Sequence, residues 1–235
     1  MNDLIKLLNI RYGNKALKKT KHIVPKVVEQ IITRGSIRKF SKKKVSNEIF
    51  DSLIASAQSA PSKSNLQQYS ILNITDIKTK KQIGKLLGET SWATEAPVFF
   101  LFLADIRRNK IITESRGYEY QNNNLDHFMN AVIDSALGMQ TLILAAESWG
   151  LGACPISMVR NHLDEIKKIC SLPDCVFPIA GLSLGWPNEK KKISIRLPQN
   201  LVLHENKYLD NKILQEIDKY DELVFKVSPI PLSKQ

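Results

Sequence analysis

The sequence predicts one α+β domain rather than a regular βαβ array, and three observations lead there. Candidate strands and helices follow one another in irregular order, with no internal repeat and no low-complexity linker. Residues 97–104, Pro-Val-Phe-Phe-Leu-Phe-Leu-Ala, are apolar on both faces of an extended chain and read as a buried strand. Residues 126–149 are small or apolar nearly all round, as in a helix covered within a domain or against a partner subunit.

Leu4 to Leu8 read as a short helix ended by Arg11-Tyr12-Gly13, and residues 14–22 as a flexible basic connector. Val24, Val27, Val28, Ile31 and Ile32 recur at helical spacing, with Pro25 in the first turn. Thr33 to Phe40 is expected to run extended, which gathers Arg34, Ser36 and Arg38 on one side and turns Ile37 inward. Ser46 caps a helix whose buried face is Ile49, Phe50, Leu53, Ile54 and Ala57, and which stops before Pro61. A polar loop, Ser62 to Gln68, leads into a strand over 69–75 and a helix over 77–87 closed by Gly88. Residues 107–124 show no period and read as a loop. After the long helix, Gly150-Leu151-Gly152 turns into a strand near 153–157. A short helix over 162–170 and a strand over 176–185 follow. Gly185-Trp186-Pro187 opens an exposed lysine-rich loop, and Ile213, Leu214, Ile217, Tyr220 and Val224 fit a last amphipathic helix.

At 235 residues and 43% hydrophobic, the chain can bury an ordinary globular core. Its net charge of +11 is uneven: eleven Lys or Arg and one acid, Glu29, lie between Lys15 and Lys44. Such a run invites a nucleic-acid partner. It is mostly lysine, however, is broken by an apolar helix pattern and lacks interleaved aromatics for base stacking, so an anion-attracting surface fits better. Three cysteines, Cys154, Cys170 and Cys175, sit at no metal spacing and suit a reducing cytoplasm. Met1-Asn2-Asp3 does not begin a signal peptide, and the apolar stretches 97–104 and 131–146 are expected to fall short of a membrane span. His204-Glu205-Asn206 lacks the second histidine of a zinc protease, and no metal site is expected. Neither a Gly-x-Gly-x-x-Gly turn nor a Gly-Lys-Ser/Thr phosphate loop is present.

Two guanidinium forks around a hydroxyl suit a phosphate dianion, since arginine offers planar paired donors. On the segment Thr33–Phe40 alone, a basic strand edge or a solvated loop is the more ordinary reading, because short basic segments are common. Six segments in order add to it: Arg34-Gly35-Ser36-Ile37-Arg38-Lys39-Phe40; Ala60-Pro61-Ser62-x-Ser64-Asn65-x-Gln67; the helix end Ala145 to Gly152; Arg160-Asn161; Leu172-Pro173 through Gly185-Trp186-Pro187; and Arg196-Leu197-Pro198 with His204 to Tyr208. Together they resemble the FMN-dependent nitroreductases, specifically the oxygen-insensitive NADPH nitroreductase and flavin reductase branch, over residues 25–208.

The resemblance implies a nitroreductase-like α+β fold with a central mixed or antiparallel sheet surrounded by helices, and a homodimer with FMN at the subunit interface. Residues 1–24 then form an N-terminal extension, 25–208 the FMN-binding domain and 209–235 a C-terminal helix and tail. By the same resemblance Arg34, Gly35, Ser36, Ile37 and Arg38 grip the phosphate and ribityl end. Ser62, Ser64, Asn65 and Gln67 form a second flavin segment, for which ordinary loop chemistry is the competing explanation. Pro155, Ile156, Ser157 and Met158 face the flavin, Thr90 stands where relatives often carry glutamine, and Arg196 belongs to a final phosphate loop. The implied activity passes two electrons from NADPH or NADH through FMN to nitroaromatics, quinones or free flavin. The cofactor carries that chemistry, in keeping with a sequence that shows no triad and no paired carboxylates.

Two departures accompany the match. Relatives usually carry lysine two residues before the loop arginine, where this chain has Ser194. Lys190, Lys191 and Lys192 lie just upstream as possible substitutes. Only 27 residues follow Tyr208 and none is arginine, so a preference for NADPH is not inherited. A flavin-binding protein with a storage or sensing role and poor turnover is the alternative these departures motivate.

Overall fold

A computed structural model describes residues 4–13, 23–227 and 229; the expected connector at 14–22 lies outside them. In chain order the helices are α1 (Leu4–Tyr12), α2 (Lys26–Ile32), α3 (Asn47–Gln58), α4 (Ile77–Leu86), α5 (Arg107–Ser115), α6 (Leu125–Ser148), α7 (Leu163–Ile169) and α8 (Ile213–Val227). The strands are β1 (Tyr69–Asn73), β2 (Val98–Asp105), β3 (Gly152–Ile156) and β4 (Val176–Gly185). By internal packing the chain divides into two units, Ser36–Lys191 and Met1–Gly35 with Lys192–Gln235.

The first unit is built on β2, whose eight residues are all buried. A strand apolar on both faces needs a covering layer on each, and the sheet order β1-β2-β4-β3 supplies it an antiparallel neighbour on either side. On one face Phe100 and Phe102 pack with Leu182 and Leu184 of β4 under α3 and α6, through Leu53, Ala57, Leu142 and Ile143. On the other, Phe99, Leu101 and Leu103 pack with Ile156, with Ile83 of α4 and with Ile166 of α7. Each buried phenylalanine contributes about 1.5–3 kcal/mol. Ser46 accepts the Ile49 N–H at the start of α3 and Asp76 accepts the Thr79 N–H at the start of α4, so local capping agrees with the packing.

The second unit holds α1, α2 and α8 with the loop that carries residues 192–212. Here α1 runs on through Arg11 and Tyr12 instead of ending before them, and Gly13 follows at φ +69°. Helix α2 forms as its spacing requires, yet none of its residues is buried, and Val27 stays 61% exposed.

Two expectations are corrected. Residues 107–115, expected as loop, form α5. Asp105 accepts the Arg108 N–H at its start, but the two apolar residues of α5, Ile111 and Ile112, are adjacent, so the apolar period that would announce a helix is missing. The apolar stretch at 131–146, expected to fall short of a membrane span, belongs to a 24-residue helix that is long and apolar enough for one by length and composition. Its inner face packs on the sheet through Leu142, Ile143 and Ala146.

Beyond the edge strand β3, Ile37 donates its N–H to Ala153 O at 3.2 Å and buries its side chain to 3% exposure. This close approach needs glycine at 152, where a Cβ would lie 2.6 Å from Ile37 Cβ. Gly152→Ala is expected to cost about 1–3 kcal/mol through overpacking. A lower urea midpoint at unchanged slope is the result to look for; an unchanged midpoint would mean Ile37 moves aside freely.

Candidate functional site

In the sheet-bearing unit, residues 36–41 run beside β3 and the turn after β4. Besides the bond from Ile37, the Arg38 and Lys39 N–H groups donate to Glu189 Oε1 at 2.5 and 3.0 Å, and Ser41 N–H donates to Trp186 O. Phe40 bridges Pro187, and Lys43 lies 4.0 Å over the Trp186 ring. The backbone N–H of Arg38, more than nearby charge, holds the exposed Glu189 carboxyl below its usual range. The inward turn of Ile37 and the exposed side chain of Arg38 match the alternation expected for an extended segment.

The loop before β1 is organised by a residue passed over in the sequence. Asp134, on the inner side of α6 and 2% exposed, accepts bonds from Ser62 Oγ (2.7 Å), Lys63 N–H (3.3 Å) and Gln68 N–H (2.9 Å). Ser62 Oγ accepts the Gln67 N–H in turn, and Asn65 Oδ1 accepts from Gln67 Nε2. Ser64, Asn65 and Gln67 are left-handed, at φ 52°, 55° and 49°, a conformation that side chains adopt only where surroundings enforce it. Arg108 supplies part of that enforcement by donating to the Gln67 and Tyr69 carbonyls at 3.0 and 3.1 Å. Gln68 is fully buried and its amide meets the His127 ring at 2.8 Å. Burial, with Lys63 nearby, lowers the His127 pKa, while Asp126 opposes the shift.

The proton of Ser62 is thus committed to Asp134, whereas Ser64, Asn65 and Gln67 are exposed. Thr90 spends its hydroxyl on Leu87 O at 2.8 Å. Pro155 and Ser157 are exposed, Ile156 belongs to the core at 5% exposure, and Met158 is half-buried against that core. Residues 36–38 and 155–158 therefore share the β3 edge, but residues 62–67 do not join them. Ala153, beside Ile37, aligns through Leu184 with Val98, whereas Tyr69 aligns with Ala104 at the far end of β2. Four strand spacings across and six residues along place the two segments about 20 Å apart in each direction.

In the other unit Arg34, Ser194 and Arg196 surround one buried side chain. Arg11, 7% exposed, donates Nε and Nη2 to Ile32 O, Nη2 to Arg34 O at 2.8 Å and Nη1 to Ser194 O at 2.9 Å. Arg196 N–H donates to Arg11 O at 2.9 Å. Burial first, then the charges of Arg196 and Arg34, lower the Arg11 pKa. Three like charges so close suit a phosphate dianion, with Arg34 and Arg196 as the donors and Arg11 adding charge, so this cluster fits the phosphate end of FMN. Ser194 and Arg196 are exposed, as are Lys190, Lys191 and Lys192.

Residues 31–186 match the Nitroreductase family. This chain belongs to that family. An FMN reductase [NAD(P)H] of Bacillus subtilis is 36% identical over 199 residues, covering 83% of this chain and 80% of the relative. An oxygen-insensitive NADPH nitroreductase of Salmonella typhimurium is 35% identical over 197 residues, covering 83% and 79%. The solved structure of the NfrA1 nitroreductase from B. subtilis superposes with a TM-score of 0.82 at 34% identity, covering 86% of this chain and 83% of that one. The nitroreductase-like α+β fold expected from the sequence is thereby established.

Sequence reasoning missed Asp134, Gln68, His127, Arg108 and Arg11. Asp134 left a signal, because a lone carboxylate on the inner face of an apolar helix must find partners. Arg11 left none, since an arginine in a last helical turn ordinarily meets the helix dipole.

Asp134→Asn sets an amide against donors that now point at a carboxylate, and is expected to cost about 1–3 kcal/mol. A melt at neutral pH, with exchange of the Lys63 and Gln68 amides, checks it. His127 titrates below the ordinary 6.5, so the unfolded chain takes its proton first and stability falls as pH drops below that value. His127→Gln should flatten that part of the stability–pH curve, and an unchanged curve excludes His127 as its source.

Proposed function

We propose that this chain is an FMN-dependent oxidoreductase, passing two electrons from NADPH or NADH to nitroaromatics, quinones or free flavin. The observation that carries it is the trio Arg11, Arg34 and Arg196, a cationic cluster suited to the phosphate that distinguishes FMN from riboflavin. Membership of the Nitroreductase family, with relatives named FMN reductase and NADPH nitroreductase, supports the same cofactor and donor. Bound there, FMN supplies the electron exchange at its N5 position. The protein's own part is to hold the phosphate, fix the ring and leave one face open.

By the family resemblance Arg34 and Arg196 are assigned to the phosphate, and Gly35, Ser36, Ile37 and Arg38 to the phosphate and ribityl end. Pro155, Ile156, Ser157 and Met158 are assigned to the ring; Pro155 and Ser157 are exposed at the β3 edge, with Ile156 and Met158 packed behind it. Ser64, Asn65 and Gln67 are assigned to the ring of a second copy's flavin, with Ser62 fixing their loop; Thr90 is kept as a marginal contact. A homodimer is the arrangement that reconciles the separated segments 36–38 and 62–67 with one cofactor. Support comes from α6, where Leu125, Met129, Ile133 and Leu137 repeat every fourth residue and are 72%, 52%, 50% and 38% exposed. The acceptors are flat, electron-poor aromatic molecules, and the compartment is the cytoplasm. Unless Lys190, Lys191 or Lys192 supplies the missing cation, Ser194 favours a more negative FMN potential and slower reduction, and a storage role if turnover is poor.

Purified protein should be yellow, dimeric in solution and carry equimolar FMN, bleach anaerobically with NADPH or NADH, and recover its colour with a nitroaromatic or quinone. Colourless protein that cannot be reconstituted removes the proposal, and bleaching without recovery leaves storage. Ser194→Lys should raise the FMN potential, each tenfold gain for the reduced form reading as roughly 30 mV in a two-electron couple. Equal potentiometric titrations of the two proteins would dismiss a role for position 194.

A further inference from the structure

We infer that Arg11, in a helix outside the family-matched residues 31–186, is the positioning residue of the phosphate site. It acts by locking the backbone of both phosphate arginines; the inference rests on the FMN assignment above.

Four of the five guanidinium N–H donors of Arg11 are spent on backbone carbonyls: two on Ile32 O, one on Arg34 O and one on Ser194 O. A side chain so committed has little left for a ligand. It does bring together two chain segments that lie 160 residues apart, Arg34 and Ser194. On one side it fixes the carbonyl of Arg34 itself. On the other it fixes Ser194, while its own carbonyl accepts the N–H of Arg196. Tyr220 of α8 donates to the Ile195 carbonyl between them at 3.4 Å. Both arginines assigned to the phosphate are therefore anchored to one residue through their main chains.

The electrostatics point the same way. Arg11 is buried beside two further guanidiniums, and both reduce its affinity for its own proton. A dianion offsets that repulsion, so phosphate binding and the ordering of α1 are coupled. Lysine cannot replace this fork. It keeps the charge, but its donors radiate from one nitrogen and cannot reproduce the separate Nε, Nη1 and Nη2 contacts to three carbonyls.

The test compares FMN with riboflavin, which lacks the phosphate, by quenching of flavin fluorescence on the full chain. Arg11→Lys and Arg11→Met should each lose about tenfold or more in FMN affinity, the scale of a lost charge-assisted contact, with riboflavin affinity unchanged. Lys6→Met, an exposed charge removed from the same helix, should bind FMN as the wild type does. Unchanged FMN affinity in both Arg11 variants overturns the inference. So does an equal loss for FMN and riboflavin, because a merely structural residue would weaken both. Full rescue by Arg11→Lys also overturns it, replacing the fork with simple charge. If Arg11→Met does not fold, Arg11→Lys carries the comparison. A wild type that binds FMN no better than riboflavin fails earlier, at the phosphate assignment itself.

Discussion

Everything in the sheet-bearing unit follows from one constraint: β2 is apolar on both faces and must be sealed on both. Its even residues demand α3 and α6 above, its odd residues α4 and α7 below. Its two edges demand antiparallel partners, which are β1 and β4. Once those are in place, the polar loops at either end of the sheet have fixed positions. The segments at 36–41 and 62–68 are thus consequences of how a hydrophobic strand is covered.

Polar residues then do at the loops what apolar ones do at the sheet. Asp134 emerges from the inner face of α6 where the apolar packing ends, and its carboxylate gathers the loop before β1. Arg11 does the reverse in the other unit, a cation gathering carbonyls. In each case a buried charge is tolerated because most of its hydrogen-bonding capacity is taken up by main-chain groups and, at Asp134, one hydroxyl. Such hubs hold loops that have little apolar surface of their own.

Much of the fold was legible because its signals are local or periodic. The cap Ser46, the buried run of β2 and the breaks at Gly88 and Gly150 can all be read along the chain. Helix α5 was not, because its two apolar residues, Ile111 and Ile112, are adjacent and set up no helical spacing. The reach of α1 was misjudged for a related reason: Arg11 is polar in sequence and buried in structure. The phosphate role proposed for Arg34 to Phe40 rests on the company of the other motifs, since that stretch alone fits a basic edge or solvated loop better. Ile156 and Ser62, grouped in the sequence with flavin contacts, face the core and Asp134 respectively, and only three-dimensional register separates them from Pro155, Ser157 and Asn65.

The separation of residues 36–38 from residues 62–67, at opposite edges and opposite ends of the sheet, has a consequence for mass action. In the proposed homodimer a cofactor held by both segments would be held by two chains, so its apparent affinity would depend on protein concentration as well as on contacts. Dilution that separates the chains would empty both sites together, and flavin release would then report subunit dissociation. Flavin would in turn lend its binding energy to the dimer, so supply of the cofactor would set how much of the protein is assembled.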